Sequence, residues 1–283
     1  MEAPPRRRPS LRRFIRRNPT LVAGGAMLAL IALVALAAPL VPGDPITMRP
    51  AERLRPPSAV NWLGTDNLGR DVFSRTVHGA RVSLFVGLSV AIFSVALGLL
   101  VGLLSGYFRR VDAVVMRLMD GLMAIPAILL AIALVALTRA SVMTVIVAIT
   151  IPEVPRVVRL VRSVVLSVRE APYVEAAIAG GTPVWKILLR HILPSTVPPL
   201  IVQATYICAS AILIEAALSF LGAGTPPEIP TWGNMIAQSR LFLSRAPWTI
   251  FSPGVALAVV VLAVNLLGDG LRDRLDPRLA RRM

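Results

Sequence analysis

From Leu84 to Gly106 the chain carries no charged residue. Wound as an α-helix at 1.5 Å per residue, that run is about 35 Å long, enough to cross a hydrocarbon core of roughly 30 Å. Five further apolar stretches of similar length follow the same pattern: Thr20 to Val41, Val114 to Leu137, Ser141 to Val165, Pro194 to Leu221 and Thr249 to Leu271. The run quoted above falls in a sixth, Val82 to Tyr107. In lipid the backbone must satisfy its own hydrogen bonds, so runs this long read as helices. The expected fold is all-α, a polytopic membrane protein with six transmembrane helices. Residues 1–19 form a basic N-terminal arm, 20–41 the first span and 42–81 an external loop containing an amphipathic helix. Residues 82–271 form a five-helix core, interrupted by a cytoplasmic segment at 166–193 and an external loop at 222–248. Residues 272–283 form a tail.

Charge then orients the bundle. Thirty basic residues face fifteen acidic ones, and all the basic residues but Lys186 are arginine. A balance this basic is often the footprint of a nucleic-acid partner. Here most of the arginines collect on alternate connections: Arg6, Arg7, Arg8, Arg12, Arg13, Arg16 and Arg17 before the first span, Arg109, Arg110 and Arg117 after the second, Arg156, Arg159, Arg162, Arg169 and Arg190 around the fourth and fifth, and Arg272 to Arg282 after the last. That is the positive-inside pattern, so both termini are expected in the cytoplasm and no nucleic acid is expected as partner. The arm is expected to lie against anionic membrane lipid. The first span is longer than the apolar region of a secretory signal and reads as a retained helix.

Catalytic chemistry is hard to place. The single cysteine, Cys208, lies in an apolar run, and His78 and His191 are far apart without metal-ligating neighbours, so no metal site is expected. With Lys186 the only lysine, no G-x-x-x-x-G-K-[ST] phosphate loop exists. The chain is expected to be no enzyme and to bind no cofactor directly.

The segment between the fourth and fifth spans is the most informative. Pro172 is suited to the first position of a helix, and Glu175 to its first turn. Tyr173 to Ala179 makes about two turns, too short to span. Gly180-Gly181 fits a left-handed stop, and Thr182-Pro183 starts a second short helix. A structured helix–turn–helix held outside the bilayer is suited to docking a cytoplasmic partner.

Glu175-Ala176-Ala177, Gly181 and Leu193-Pro194 resemble the EAA loop of ABC-importer permeases. Trp62-Leu63-Gly64-Thr65-Asp66-Asn67-Leu68-Gly69-Arg70-Asp71 resembles the signature of the C-type permease subunit of dipeptide and oligopeptide importers. Arg117-Leu118-Met119-Asp120, the Ile125-Pro126 step and Glu215-Ala216-Ala217-Leu218-Ser219-Phe220 fit the same pattern, as do Thr231-Trp232-Gly233 and Gly268-Asp269-Gly270. The resemblance implies a type I ABC importer permease fold in a bacterial cytoplasmic membrane. It implies a second permease subunit as heterodimer partner, two cytoplasmic ATPase subunits that bind ATP and Mg, and an extracytoplasmic solute-binding protein. It implies transport of di- or oligopeptides by alternating access. The alternatives are a non-peptide solute, such as a nickel complex or glutathione, or a secondary transporter. Two departures stand out: Ile151-Pro152-Glu153-Val154-Pro155 where the family has a Trp-Pro pair, and Gly180 where it has a larger apolar residue.

The resemblance makes Tyr173, Glu175, Ala176, Ala177, Gly181 and Trp185 the candidate ATPase-coupling residues. Asp120, Glu153 and Glu215 are ionisable groups within spans, which usually face protein or water; they are candidates for the translocation path. Asp120 is expected to pair with Arg117, and Glu153 with Arg156. Asp66, Arg70, Asp71 and Trp232 are candidates for an external gate or docking element. Trp232 and Trp248 also read as membrane-interface anchors, and Val72, Phe73, Val77 and Val82 as the apolar stripe of an interfacial helix.

Overall fold

The computed structural model describes residues 15–16, 18–40 and 43–275. The arginines of the far N-terminal arm and of the tail beyond Leu275 lie outside the described residues. Nearly everything described is helical; the one extended pairing among the described residues is an isolated bridge between Thr65 and Asp71.

Helix α1 (Pro19–Ala37) runs on into a 3₁₀ turn, Ala38–Leu40. Its Gly24 faces the backbone of Leu267, where a Cβ would lie 2.4 Å from the amide nitrogen. At the other end of the contact Gly270 faces Leu21, with 2.5 Å to its nitrogen. The two glycines let α1 lie directly on the last helix, α10 (Trp248–Leu275). The order of the contacts makes the pair antiparallel and puts Pro19 and Leu275 at the same end of the bundle.

Helix α2 (Val72–Tyr107) is 36 residues long, about 54 Å. The expected amphipathic helix over residues 70–81 is therefore not a separate element lying on the bilayer. It is the first part of the second span, because Asp71 caps the helix by accepting from the Ser74 amide at 2.7 Å and nothing after it breaks the chain. Val72 and Val77 pack inside the protein rather than on lipid.

The expected third span is bent. Helix α3 (Arg109–Ala124) and helix α4 (Ala127–Ala136) meet at 87° across Ile125-Pro126. Proline disfavours helical geometry in the residue before it, and Ile125 is extended (φ −93°, ψ 129°). Helix α5 (Val142–Arg169) begins on a Ser141 cap and runs unbroken through Pro152 and Pro155. Neither proline can donate to the preceding turn, so the carbonyls of Ala148 and Ile151 lose their usual donors beside Glu153. Among the described residues four helical spans, including α1, α2 and α10, are long and apolar enough to cross a membrane, and the bent α3–α4 pair makes a fifth. The remaining expected span lies in α5, which is long enough but carries Glu153, Arg156, Arg159 and Arg162.

Helix α6 (Pro172–Ala179) and helix α7 (Val184–Lys186) form the connection to α8 (Leu193–Phe220), with a π-helical turn at Ile187–Ile192 between α7 and α8. Helix α9 (Trp232–Ser239) caps the opposite end, followed by a 3₁₀ turn at Arg240–Phe242. The centre of the bundle is the packing of α2 on α5 and α8.

Candidate functional site

The α6–α7 element is built from its backbone outward. Pro172 opens α6 and Glu175 sits in its first turn. At its end the Gly181 amide donates to the Ile178 carbonyl at 3.0 Å, and the Thr182 amide to the Ala177 carbonyl at 3.0 Å. With Gly181 at φ +72°, this is a Schellman stop that satisfies the last carbonyls of the helix. Gly180 continues the helical bonding into the stop: its amide donates to the Ala176 carbonyl at 2.9 Å.

The element is pinned from below and open above. Val174, Ile187 and Ile192 are fully buried in the bundle core. The opposite face leaves Tyr173 50%, Ile178 47% and Trp185 60% exposed. Glu175 and Ala176 are exposed and Ala177 half-buried. Glu175 makes no ion pair among the described residues. Tyr173 stacks on His191 at 6.5 Å between ring centres, and its hydroxyl donates to the His191 carbonyl at 3.5 Å. An apolar and aromatic surface of this kind on a rigid two-turn helix is suited to insertion into a groove of another protein. The π turn, which sequence reasoning missed, carries Arg190 and His191 and leaves Leu189 exposed beside this face.

The ionisable residues within spans separate into three situations. Asp120 does not pair with Arg117; it accepts from Arg159 Nη2 at 2.6 Å, across from α3 to α5. Sequence spacing offered the neighbour one turn away, whereas the bend at Ile125 lays α3 along the charged end of α5. The same juxtaposition joins Arg162 to Asp112. Glu153 does pair with Arg156, at 3.1 Å, with Glu153 itself only 1% exposed. Glu215 is fully enclosed, 0% exposed, and accepts from the Ser219 hydroxyl at 2.9 Å. The hydroxyls of Thr225 and Thr231 face the same carboxylate. Asn234 joins this polar knot by donating to Thr225 and to the carbonyls of Pro226 and Ile229.

At the end of the bundle opposite α6 the candidate gate residues are mostly buried. Asp66 accepts from the amides of Leu68 and Arg70 and from Arg70 Nε at 2.7 Å. Arg70 reaches on to Gln238 of α9 at 2.6 Å. Arg75 lies 3.7 Å from Asp66 and donates to the Pro45 carbonyl. Burial raises the Asp71 carboxyl above its ordinary value, opposed by its bond to the Ser74 amide. Trp232 is a core residue rather than an interface anchor: it is 1% exposed, and its indole donates to the Thr76 carbonyl at 2.9 Å. Gly79 makes room for it, since a Cβ there would lie 3.2 Å from the indole ring. Trp248 likewise donates inward, to the Thr65 carbonyl. In this conformation Asp66, Arg70 and Trp232 tie this end of the bundle together, while Asp71 stays partly exposed.

Residues 94–281 match the family described as binding-protein-dependent transport system inner membrane component, and residues 9–57 match the N-terminal transmembrane domain of oligopeptide transport permease C. A probable peptide ABC transporter permease protein of Sinorhizobium fredii is 62% identical over 95% of this chain and 93% of its own length. The dipeptide transport system permease protein of Alkalihalophilus pseudofirmus is 43% identical over 94% of this chain and 88% of its own. Among solved structures, an inward-facing MetNI methionine ABC transporter has a chain that superposes with a TM-score of 0.56 at 22% identity, covering 71% of this chain and 96% of that one. The fold is therefore that of an ABC importer permease. The chain is a multi-pass membrane protein that belongs to the family of binding-protein-dependent transport system inner membrane components.

Proposed function

We propose that this permease forms one half of a pathway for di- and oligopeptides and works by alternating access. The observation that carries the reading is the α6–α7 element. Val174 and Ile187 fix it to the bundle core while Tyr173, Glu175, Ile178 and Trp185 face outward. Because the element is rigidly joined to α5 and α8, displacement of its outer face moves the spans themselves. Two cytoplasmic ATPase subunits supply that displacement, binding ATP and Mg outside this chain. The chain's own share is to convert it into a tilt that exposes the path to one side and then the other. A second permease subunit completes the path, and an extracytoplasmic binding protein delivers the solute. The element lies at the same end of the bundle as Pro19 and Leu275, so on this reading both described ends are cytoplasmic. Peptide as solute rests on the names of the relatives at 62% and 43% identity.

The test is uptake by the complex reconstituted in vesicles, with a panel of di-, tri- and tetrapeptides. ATP-dependent accumulation that requires the binding protein is expected. Accumulation without ATP, or of no peptide in the panel, would contradict the reading.

A further inference from the structure

Between α5, α8 and α10 lies a cavity of about 310 Å³ lined by Glu153, Arg156, Gln203, Tyr206, Ser210 and Asn265, with apolar neighbours. Polar groups from three helices meet here in the middle of apolar spans, where each is costly unless it faces protein partners or water. Their partners are few. Arg156 meets both oxygens of Glu153 through one nitrogen, Nη1, at 3.1 and 3.3 Å. Its Nε and Nη2 have no protein partner among the described residues, and half of the residue is exposed. Gln203, Ser210 and Asn265 make no side-chain hydrogen bond among the described residues, whereas Tyr206 is committed to Asp269 at 2.5 Å. The cavity thus holds one carboxylate, one guanidinium with free donors, two free amides and a free hydroxyl.

We infer that this cavity is a solute subsite for a small zwitterion bearing amide groups, the chemistry of a di- or tripeptide; the inference rests on the peptide reading above. Glu153 faces the solute's ammonium and Arg156 its carboxylate. Gln203, Asn265 and Ser210 meet the peptide groups between them. Opposite charges 3 Å apart on one helix suit such a ligand because it replaces the internal pair with two charge-assisted contacts and leaves neither group bare. The volume is at the small end of ligand pockets, which fits two or three residues rather than a long peptide.

The test uses the complete complex with its binding protein, reconstituted in vesicles, with dialanine as probe. Glu153→Gln and Arg156→Gln are each expected to lower dialanine uptake roughly tenfold or more. Binding-protein-stimulated ATP hydrolysis is expected to stay within about twofold, because the coupling element is untouched. A charge-exchanged variant, Glu153→Arg with Arg156→Glu, restores an ion pair on the same turn but reverses the polarity offered to the solute, and is expected to stay as slow as the single variants. Should a single variant fail to assemble, Gln203→Ala and Asn265→Ala carry the test, each expected to raise the dialanine concentration for half-maximal uptake several-fold. Wild-type uptake in the single variants, or full recovery in the charge-exchanged one, would make the pair structural and overturn the subsite. A parallel loss of ATP hydrolysis and uptake would overturn it too. If the wild-type complex accumulates no peptide at all, the peptide reading itself fails, which is a different result from variants that equal a working wild type.

Discussion

Gly98 on α2 faces Val157 on α5 so closely that a Cβ at Gly98 would lie 2.4 Å from the Val157 Cβ. The relationship repeats one turn on at Gly102 and Val161, and again at Gly106 and Val165, each 2.6 Å. Small residues at every fourth position let the two backbones approach, which is how helices gain packing in lipid, where there is no hydrophobic drive between them. Gly98→Val is expected to destabilise the purified protein by about 1–3 kcal/mol or to prevent its accumulation. Combining it with Val157→Ala is expected to restore part of the loss. Thermal unfolding in detergent reads both, and a Gly98→Val protein as stable as wild type would contradict this packing.

Arg162 grips Asp112 with two parallel bonds, Nε to Oδ1 at 2.5 Å and Nη2 to Oδ2 at 2.7 Å. Arg159 and Asp120 join the same two helices through one bond, and both side chains are more exposed. A two-pronged pair with less solvent screening is the stronger. A double-mutant cycle on Asp112→Asn and Arg162→Gln is expected to give a coupling of roughly 1 kcal/mol. The same cycle on Asp120 and Arg159 is expected to give less than about half of that. Equal couplings would contradict the ranking.

Parts of this arrangement are legible in the sequence and parts are not, for physical reasons. The α6–α7 turn is legible because Pro172 and Gly181 act on their own backbone: one fixes φ, the other permits a left-handed stop, whatever surrounds them. The bend at Ile125-Pro126 is half legible. The proline is visible, but hydropathy is blind to direction, so Val114 to Leu137 reads as one straight span. Asp120 is misread because an ion pair between helices depends on how they cross, and spacing along the chain reports only neighbours on the same helix. Trp232 reads as an interface anchor because its burial is created by Gly79, far away in sequence. The cavity around Glu153 is visible only as an acidic residue in the wrong place; its other walls come from α8 and α10.

Gly181 and Gly69 both have positive φ, at +72° and +75°, but differ in what surrounds them. A Cβ at Gly181 meets nothing within 4 Å, while one at Gly69 would lie 1.9 Å from the Arg49 carbonyl oxygen. Gly181→Ala is therefore expected to cost only the conformational term, about 1 kcal/mol, and to leave the protein inserted. Gly69→Ala is expected to cost distinctly more, because backbone must move. Comparing the two unfolding temperatures checks this, and equal effects would contradict it.

The proposed orientation puts exposed Ser58 outside and exposed Ala179 in the cytoplasm. With Cys208 replaced by alanine, Ser58→Cys is expected to react in intact cells with a thiol reagent that does not cross membranes. Ala179→Cys is expected to react only after permeabilisation. The reverse pattern would invert the whole bundle.

Coupling through α6 is the centre of the account, and Glu175 tests it most directly, because it is exposed, makes no ion pair among the described residues and contributes nothing to the core. The measurement is peptide uptake and ATP hydrolysis, side by side, in complexes carrying Glu175→Arg. The account predicts normal membrane insertion and uptake lowered about tenfold or more, as for loss of a central contact at an interface. Hydrolysis should no longer respond to the binding protein. Uptake at the wild-type rate, with hydrolysis still stimulated, would contradict the assignment of α6 as the element through which the transporter is driven.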